Sequence, residues 1–301
     1  MTWNRARSSL ESTQTIEEGL YERDPQNPEL ADAVATNHNR LGVVLDKMGR
    51  GDEALVHLLA DVDMRRRALE KSPQNTSVQY GYGIALSYAG LFYEARGSLD
   101  AAREYFRQFT DVATRLSALD SRNMAWRRDA AVARIDLANV LRLEGGLQEA
   151  QRNYDEALDR LRSMAAGSSA IVSWQLAVVR GEIGLAHVAL QRNALDAAQK
   201  HVDEGERIVG PLVERCTIRD ARRWAAEARL AAADIAERHH DRSEASRLRE
   251  SAITLVTGGN APLEKEVLAL QARALLALGR VEEARPVVAR LLAQGYLTRR
   301  S

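Results

Sequence analysis

The sequence predicts an all-α fold, an α-α superhelix of about six antiparallel helix hairpins preceded by one unpaired helix. The first observation behind this prediction is a tandem repeat with a period of 48 residues. Its markers recur at that spacing: Asn27, Asn75 and Asn123; Gly49, Gly97 and Gly145; Ala54, Ala102, Ala150 and Ala198. The second is that apolar residues between the markers lie three and four positions apart, which is the spacing of an amphipathic helix. The third is that each repeat contains two turn signals and therefore two helices.

The first expected helix covers residues 4–23. Counting back one period of 48 residues from Ala54 and Leu58 gives Ala6 and Leu10, so this segment is similar to the second helix of a repeat whose first helix is absent. Such a half-repeat leaves an apolar face without a partner. We therefore expect the chain to be the C-terminal part of a longer protein. A capping helix or a self-association surface is the alternative.

Long hairpins are expected next, over residues 28–71, 76–119, 124–166 and 169–215. Turn phrases such as Asp24-Pro25-Gln26-Asn27 precede the first helix of each, and Pro28 suits a first helical turn because it needs no amide donor. Glycine follows that helix because the residue after a helix often adopts a left-handed conformation. Pro211 is expected to end or kink the second helix of the last long hairpin.

Two divergent hairpins complete the predicted domain, which spans residues 1–301. They cover residues 218–257, around His239-His240-Asp241, and residues 262–294, around Gly279. Gly258-Gly259-Asn260 is predicted to form a turn between the two hairpins, before Pro262.

The hairpins resemble the tetratricopeptide repeat (TPR), whose pattern combines a leucine–glycine pair, a bulky residue, an alanine, an aromatic residue and a closing proline. The matching residues are Leu41, Gly42, Leu45, Ala54, Leu58 and Pro73 in the first copy; Gly90, Tyr93, Ala102 and Phe106 in the second; and Leu137, Ala138, Leu141, Ala150 and Tyr154 in the third. The resemblance covers about residues 4–294. The period is longer than the roughly 34 residues of the usual repeat, and the difference corresponds to about two extra turns on each helix. The resemblance implies a TPR-like solenoid.

The long period and the turn phrases are also similar to the C-terminal repeat regions of bacterial signalling proteins. Those proteins include eukaryotic-like serine/threonine kinases and nucleotide cyclases with appended TPR arrays. The similarity implies a regulatory or scaffolding module whose catalytic domain lies upstream.

Composition argues against nucleic-acid and membrane partners. The 42 basic and 42 acidic residues give a formal net charge of zero, so the chain has no overall field that would attract phosphate backbones. The sequence also lacks an apolar run of the roughly 18 residues that a membrane span requires. We expect a cytoplasmic protein, and a periplasmic location stays open because the repeats of the kinases can lie beyond a membrane span.

Catalytic and cofactor motifs are absent from the sequence: it has no phosphate-binding loop, dinucleotide fingerprint, nucleophile elbow or zinc-binding helix motif. His239, His240 and Asp241 could in principle hold a metal ion, but a solvated turn is the preferred interpretation. The single Cys216 follows Arg215 and has no histidine partner nearby in sequence. The sequence therefore predicts a protein that is not an enzyme and binds no metal or cofactor.

The resemblance to TPR proteins implies a concave groove lined by the first helix of each hairpin. Projecting this face onto the sequence gives the candidate binding residues Asn39, Tyr80, Ser87, Arg128, Asn139, Arg142, Arg180 and His187. Arginine can hold a carboxylate through two hydrogen bonds, and asparagine can bond both groups of a peptide backbone. The predicted partner is a protein or peptide, with an acidic segment preferred beside Arg128, Asn139 and Arg142. For each residue the alternative is a solvated side chain, and for the chain it is a homodimer formed through the terminal helices.

Overall fold

The structure is a computed structural model that describes residues 2–165, 171–215, 219–257 and 264–296. Within these ranges all regular secondary structure is helical, which confirms the predicted all-α fold class. The helices are α1 (Thr2–Arg23), α2 (Pro28–Lys47), α3 (Gly51–Lys71), α4 (Thr76–Ala95), α5 (Leu99–Leu119), α6 (Met124–Leu143), α7 (Leu147–Ala165), α8 (Val172–Gln191), α9 (Leu195–Arg215), α10 (Arg219–Arg238), α11 (Arg242–Thr257), α12 (Lys265–Ala277) and α13 (Val281–Ala293). Gly258, Gly259, Asn260, Pro262 and Cys216 lie outside the described residues.

The asparagine that marks each of the first three repeats is an N-cap. The Asn27 side-chain oxygen accepts hydrogen bonds from the backbone amides of Glu29 and Leu30, 3.0 and 3.3 Å away. Asn75 caps α4 in the same way, and the Asn123 side chain accepts from the backbone amide of Trp126. Each cap satisfies amides that have no partner within the helix and stabilises it by about 1 kcal/mol.

A tight turn joins the two helices of each hairpin. The turn from α2 to α3 contains Gly49 with a φ of +78°, and Gly97, Gly145 and Gly279 take similar values in the equivalent turns. Glycine adopts this left-handed conformation without a steric penalty, as the sequence predicted. Asn193 replaces glycine in the turn from α8 to α9 with a φ of 56°. Asparagine is among the few other residues that tolerate this conformation.

Small residues on first helices accept large side chains from second helices. A Cβ atom added at Gly90 of α4 would stand 2.5 Å from the Phe106 ring of α5. One period earlier, a Cβ at Gly42 of α2 would stand 2.7 Å from the Leu58 side chain of α3. Phe106 and Leu58 are both buried, so this close approach forms the centre of each hairpin.

The chain divides into two compact units. The first unit comprises Met1–Trp126 and Leu292–Ser301, and the second comprises Arg127–Leu291. The expectation of one domain over residues 1–301, with its seven repeat boundaries, stays a prediction. α9 continues through Pro211 to Arg215, so the helix does not end at this proline, and the alternative expectation of a kink stays a prediction. Across the described ranges, every helix is too short or too polar to span a bilayer.

Candidate functional site

All eight candidate residues lie on the first helix of a hairpin. Asn39 is on α2, Tyr80 and Ser87 are on α4, and the others are on α6 and α8. The candidates of the first unit and those of the second unit form separate sets, because α2 and α4 belong to one unit and residues 127–191 belong to the other.

Asn39 takes part in a polar cluster within the first hairpin. Its side-chain amide donates to Oδ2 of Asp61 on α3 at 3.0 Å, and Oδ1 of Asp61 accepts from Nε of Arg65 at 2.6 Å. Burial raises the pKa of Asp61, although the Arg65 charge and these hydrogen bonds act in the opposite direction. The Asn39 amide therefore helps to satisfy a buried carboxylate, and its place in a binding groove stays a prediction.

Tyr80 and Ser87 are half-buried on α4. The Ser87 hydroxyl donates to the backbone oxygen of Ile84 at 2.7 Å, so its proton is used within the helix. Beside Tyr80, an added Cβ at Gly81 would clash with the guanidinium of Arg65, while one at Gly83 would stand 3.2 Å from Val112 of α5. Gly83 thus permits the close approach of α5, whereas Gly81 leaves room for the Arg65 side chain.

In the second unit, two of the candidate arginines form ion pairs. Nη2 of Arg128 lies 2.6 Å from Oδ1 of its neighbour Asp129, which is buried. Arg180 of α8 donates to Asp136 of α6 and lies 5.7 Å from the centroid of the Trp224 ring. Burial raises the pKa of Asp136, and the Arg180 charge opposes this shift. Both arginines neutralise acidic groups of the protein itself.

His187 belongs to a network that connects three first helices. Its Nε2 lies 3.1 Å from Oε1 of Glu227 on α10, and the same oxygen accepts from Nη1 of Arg273 on α12 at 3.1 Å. Arg273 also donates to Asp234 at 3.3 Å. The sequence projection missed Asp136, Glu227, Asp234 and Arg273. The three acidic residues could have been found in the sequence, because each is a carboxylate within an otherwise apolar stretch of a first helix.

Arg142 differs from Arg128 and Arg180 because no carboxylate pairs with it among the residues that the structure describes. The residue is 6% exposed, and its buried Nε has no hydrogen-bond partner in that part of the chain. One turn earlier on α6, Oδ1 of Asn139 accepts a hydrogen bond of 2.6 Å from the hydroxyl of Tyr154. α6 thus carries an arginine and an asparagine one turn apart, and their role in binding stays a prediction.

The His239-His240-Asp241 turn has a structural role. His240 takes a φ of 63°, and Asp241 caps α11 by accepting from the backbone amide of Glu244 at 3.0 Å and from the hydroxyl of Ser243 at 2.9 Å. These hydrogen bonds lower the pKa of Asp241. In the described ranges, the histidine, cysteine and acidic side chains form no cluster that could hold a metal ion.

Comparisons with known proteins place the fold. Residues 39–74 match the family model described as tetratricopeptide repeat, whereas no curated protein matches the chain. The solved structure of BtubC from P. vanneervenii is similar with a TM-score of 0.61 and 15% identity, over 87% of this chain and 94% of that chain. A Rap protein complexed with competence and sporulation factor is similar with a TM-score of 0.55 and 14% identity, over 97% of this chain and 74% of that chain.

The apo form of the quorum sensor NprR from B. thuringiensis is also similar. The TM-score is 0.51 and the identity is 14%, over 97% of this chain and 83% of that chain. Likeness at such low identity concerns the fold alone. These findings identify a tetratricopeptide repeat at residues 39–74 and give the chain the fold of a TPR-like helical solenoid.

Proposed function

We propose that this chain is a non-catalytic interaction scaffold that binds a peptide or protein segment along its first helices. We further propose that it serves as a regulatory module of a larger bacterial signalling protein. The fold supports the first proposal, because stacked helix hairpins present extended surfaces for protein partners. Two proteins of similar fold support the second, since one is a quorum sensor and the other is complexed with competence and sporulation factor.

The observation that carries the binding proposal is the state of Arg142. The Nε of Arg142 is buried and has no acceptor among the described residues, which is costly because the group has lost water and gained no partner. A ligand carboxylate at Arg142 would remove that cost, and the free amide hydrogens of Asn139 would donate to a backbone carbonyl of the same segment.

The pairing of the candidate cations limits the charge that a ligand can carry. Arg128, Arg180 and His187 face carboxylates of the protein, whereas Arg142 has none among the described residues. Because Asp136 and Glu227 already occupy Arg180 and His187, these groups offer little positive charge to a strongly acidic segment. We therefore propose a segment with one carboxylate near Arg142 and otherwise neutral character.

Affinity capture from a bacterial lysate tests this proposal with an Arg142→Met variant, which keeps the apolar stem and removes the charge. Arg122→Met is the matched control, because the Arg122 side chain is 95% exposed in a turn. Substituting Arg128 or Asn139 is less informative, since the first leaves buried Asp129 unpaired and the second removes an acceptor from Tyr154. Partners retained by the wild type and the control but lost with Arg142→Met support the proposal. Identical partners on all three baits refute it.

Self-assembly is a second candidate function, favoured by exposed apolar residues on α1. Ile16 is 64% exposed and Leu20, one turn later on the same face, is 44% exposed. Light scattering separates a monomer of 33.3 kDa from a dimer of the same chain. If α1 forms the dimer contact, the double substitution of Ile16→Glu and Leu20→Glu should convert a dimer to a monomer, whereas Arg142→Met should leave the mass unchanged.

A further inference from the structure

The contact between α1 and α2 is centred on polar groups. Among the residues of α1 whose burial is described, only Gln14 is buried, at 7% exposure. It lies beside Asn37 of α2, which is also buried, and beside His38. A helix attached around a buried amide depends on the hydrogen bonds of that amide, because a buried polar group without partners is costly.

The direction of each hydrogen bond in this contact is fixed by one backbone carbonyl. Nδ2 of Asn37 lies 2.9 Å from the backbone oxygen of Leu10 and 3.0 Å from Oε1 of Gln14. A carbonyl oxygen can only accept, so the Asn37 atom must be the amide nitrogen. The Gln14 atom facing it must then be the oxygen, and the amide nitrogen of Gln14 must face His38.

The same logic extends through two histidine rings. Nε2 of Gln14 lies 3.0 Å from Nε2 of His38, and an amide nitrogen only donates, so this ring nitrogen must carry no proton. In the neutral ring the proton is then on Nδ1, which lies 2.8 Å from Nδ1 of His57 on α3. The His57 nitrogen must accept and must also be unprotonated. The relay from Leu10 to His57 is complete only when both rings are neutral.

We propose that this relay makes the attachment of α1 sensitive to pH, so that acidification loosens α1 from α2. A proton on Nε2 of His38 would point at the Gln14 amide hydrogens. Gln14 cannot rotate its amide to compensate, because its oxygen is the acceptor for Asn37. A proton on Nδ1 of His57 would meet the proton on His38 and has the same effect, since moving the His38 proton to Nε2 brings it against Gln14.

The surroundings of the two rings shift the histidine pKa values in opposite directions. Burial is the largest influence on both histidines and lowers the pKa of each, and the neighbouring ring lowers the pKa of His38 further. Glu18 of α1 raises the pKa of both rings, and Glu11 of α1 and Glu53 of α3 raise that of His57. The net direction is downward for both.

The sign of the pH effect follows from that direction. A histidine whose pKa is lowered in the attached state binds protons more readily once α1 is released. The attachment is therefore strongest above the ordinary histidine pKa of 6.5, weakens as the pH falls below that value, and stops weakening once the pH is below the lowered pKa values of the attached state. Glu18 of α1 already accepts from the Gln14 amide, and its Oε1 lies 3.7 Å from Nε2 of His38. Its attraction for a protonated His38 ring opposes the loosening, and the lost hydrogen bond from Gln14 must outweigh it.

Hydrogen exchange of the full chain, read by mass spectrometry at about pH 7.5 and about pH 5, tests this proposal across the titration range of histidine. After correction for intrinsic exchange rates, the protection of α1 should fall roughly tenfold at the lower pH, the size expected for one or two lost hydrogen bonds. Peptides from α5 should keep their protection. A His38→Gln, His57→Gln double variant should lose the pH dependence of α1, and His239→Gln, which changes an exposed histidine, should keep it.

Nitrogen NMR of the histidine rings provides a measurement that needs no variant. At about pH 7.5, His38 should carry its proton on Nδ1 and His57 on Nε2, each the form that its neighbours require. Equal protection of α1 at both pH values in the wild type would overturn the proposal. So would a pH-dependent loss that persists in the folded double variant, or the opposite tautomer at His38.

Discussion

Replacing Gly90 by alanine tests the packing at the centre of a hairpin. The added Cβ would stand 2.5 Å from Cε1 and 2.7 Å from Cδ1 of Phe106, which is closer than two carbon atoms can approach without movement. Phe106 is fully buried, so its ring cannot swing into solvent. Overpacking of this kind costs about 1–3 kcal/mol. Alanine gains about 1 kcal/mol over glycine in helix propensity, so the net change should be between near zero and a loss of about 2 kcal/mol.

Gly19→Ala is the matched control, because Gly19 is also helical and an added Cβ there meets no heavy atom within 4 Å. This variant keeps only the propensity gain and should stabilise its unit by up to about 1 kcal/mol. The difference between the two variants isolates the overpacking cost of about 1–3 kcal/mol. Urea denaturation followed by circular dichroism measures both free energies of unfolding. Equal stabilisation by the two substitutions would refute the close approach of α4 and α5.

Three further substitutions are expected to change the stability measured by urea denaturation. Arg142→Met should leave the free energy of unfolding unchanged or raise it by about 1–3 kcal/mol, because it removes a buried Nε that has no hydrogen-bond partner among the described residues. A clear loss would mean that this Nε is satisfied. Tyr154→Phe should cost about 1 kcal/mol by leaving Oδ1 of Asn139 without its donor, and a neutral result would contradict that hydrogen bond. Arg96→Ala should lower the free energy of unfolding by about 2 kcal/mol. The reason is that the Arg96 guanidinium lies 2.7 Å from Asp46 on α2 and 3.5 Å from the centroid of the Phe92 ring. A change below about 0.5 kcal/mol would show that these contacts contribute little to stability.

The fold class could be predicted because its signals are local. Asn27 and Asn75 recur since a helix N-terminus needs an acceptor for its free amides, and Gly49 recurs since the turn needs a positive φ. Gly90 and Phe106, which approach closely at the centre of one hairpin, lie 16 positions apart within one repeat, so the repeat pattern includes both. The sequence left open whether the helix would end or kink at Pro211, because a proline alone does not show whether a helix continues through it.

The candidate site could be predicted only in part, because its partners are distant in sequence. The position of Arg180 on a first helix follows from the repeat, but its pairing with Asp136, 44 residues away, depends on the side-by-side placement of α6 and α8. The same holds for His187 and Glu227, which are 40 residues apart. The absence of a described carboxylate beside Arg142 could not be predicted either, since the sequence contains many carboxylates that could have paired with it. The sequence therefore identified the helices that carry the candidates but not which charges neutralise one another.

A hydrogen-exchange footprint of a captured partner tests the binding proposal most directly. The full chain is compared with and without the partner by mass spectrometry, at about pH 7.5 to keep the two histidines of the first unit neutral. We predict that the gain in protection centres on α6 around Asn139 and Arg142 and extends to α8. Arg142→Met should abolish this gain, and Arg122→Met should leave it intact. A gain confined to α7 and α9, or to α1, would contradict binding along the first helices.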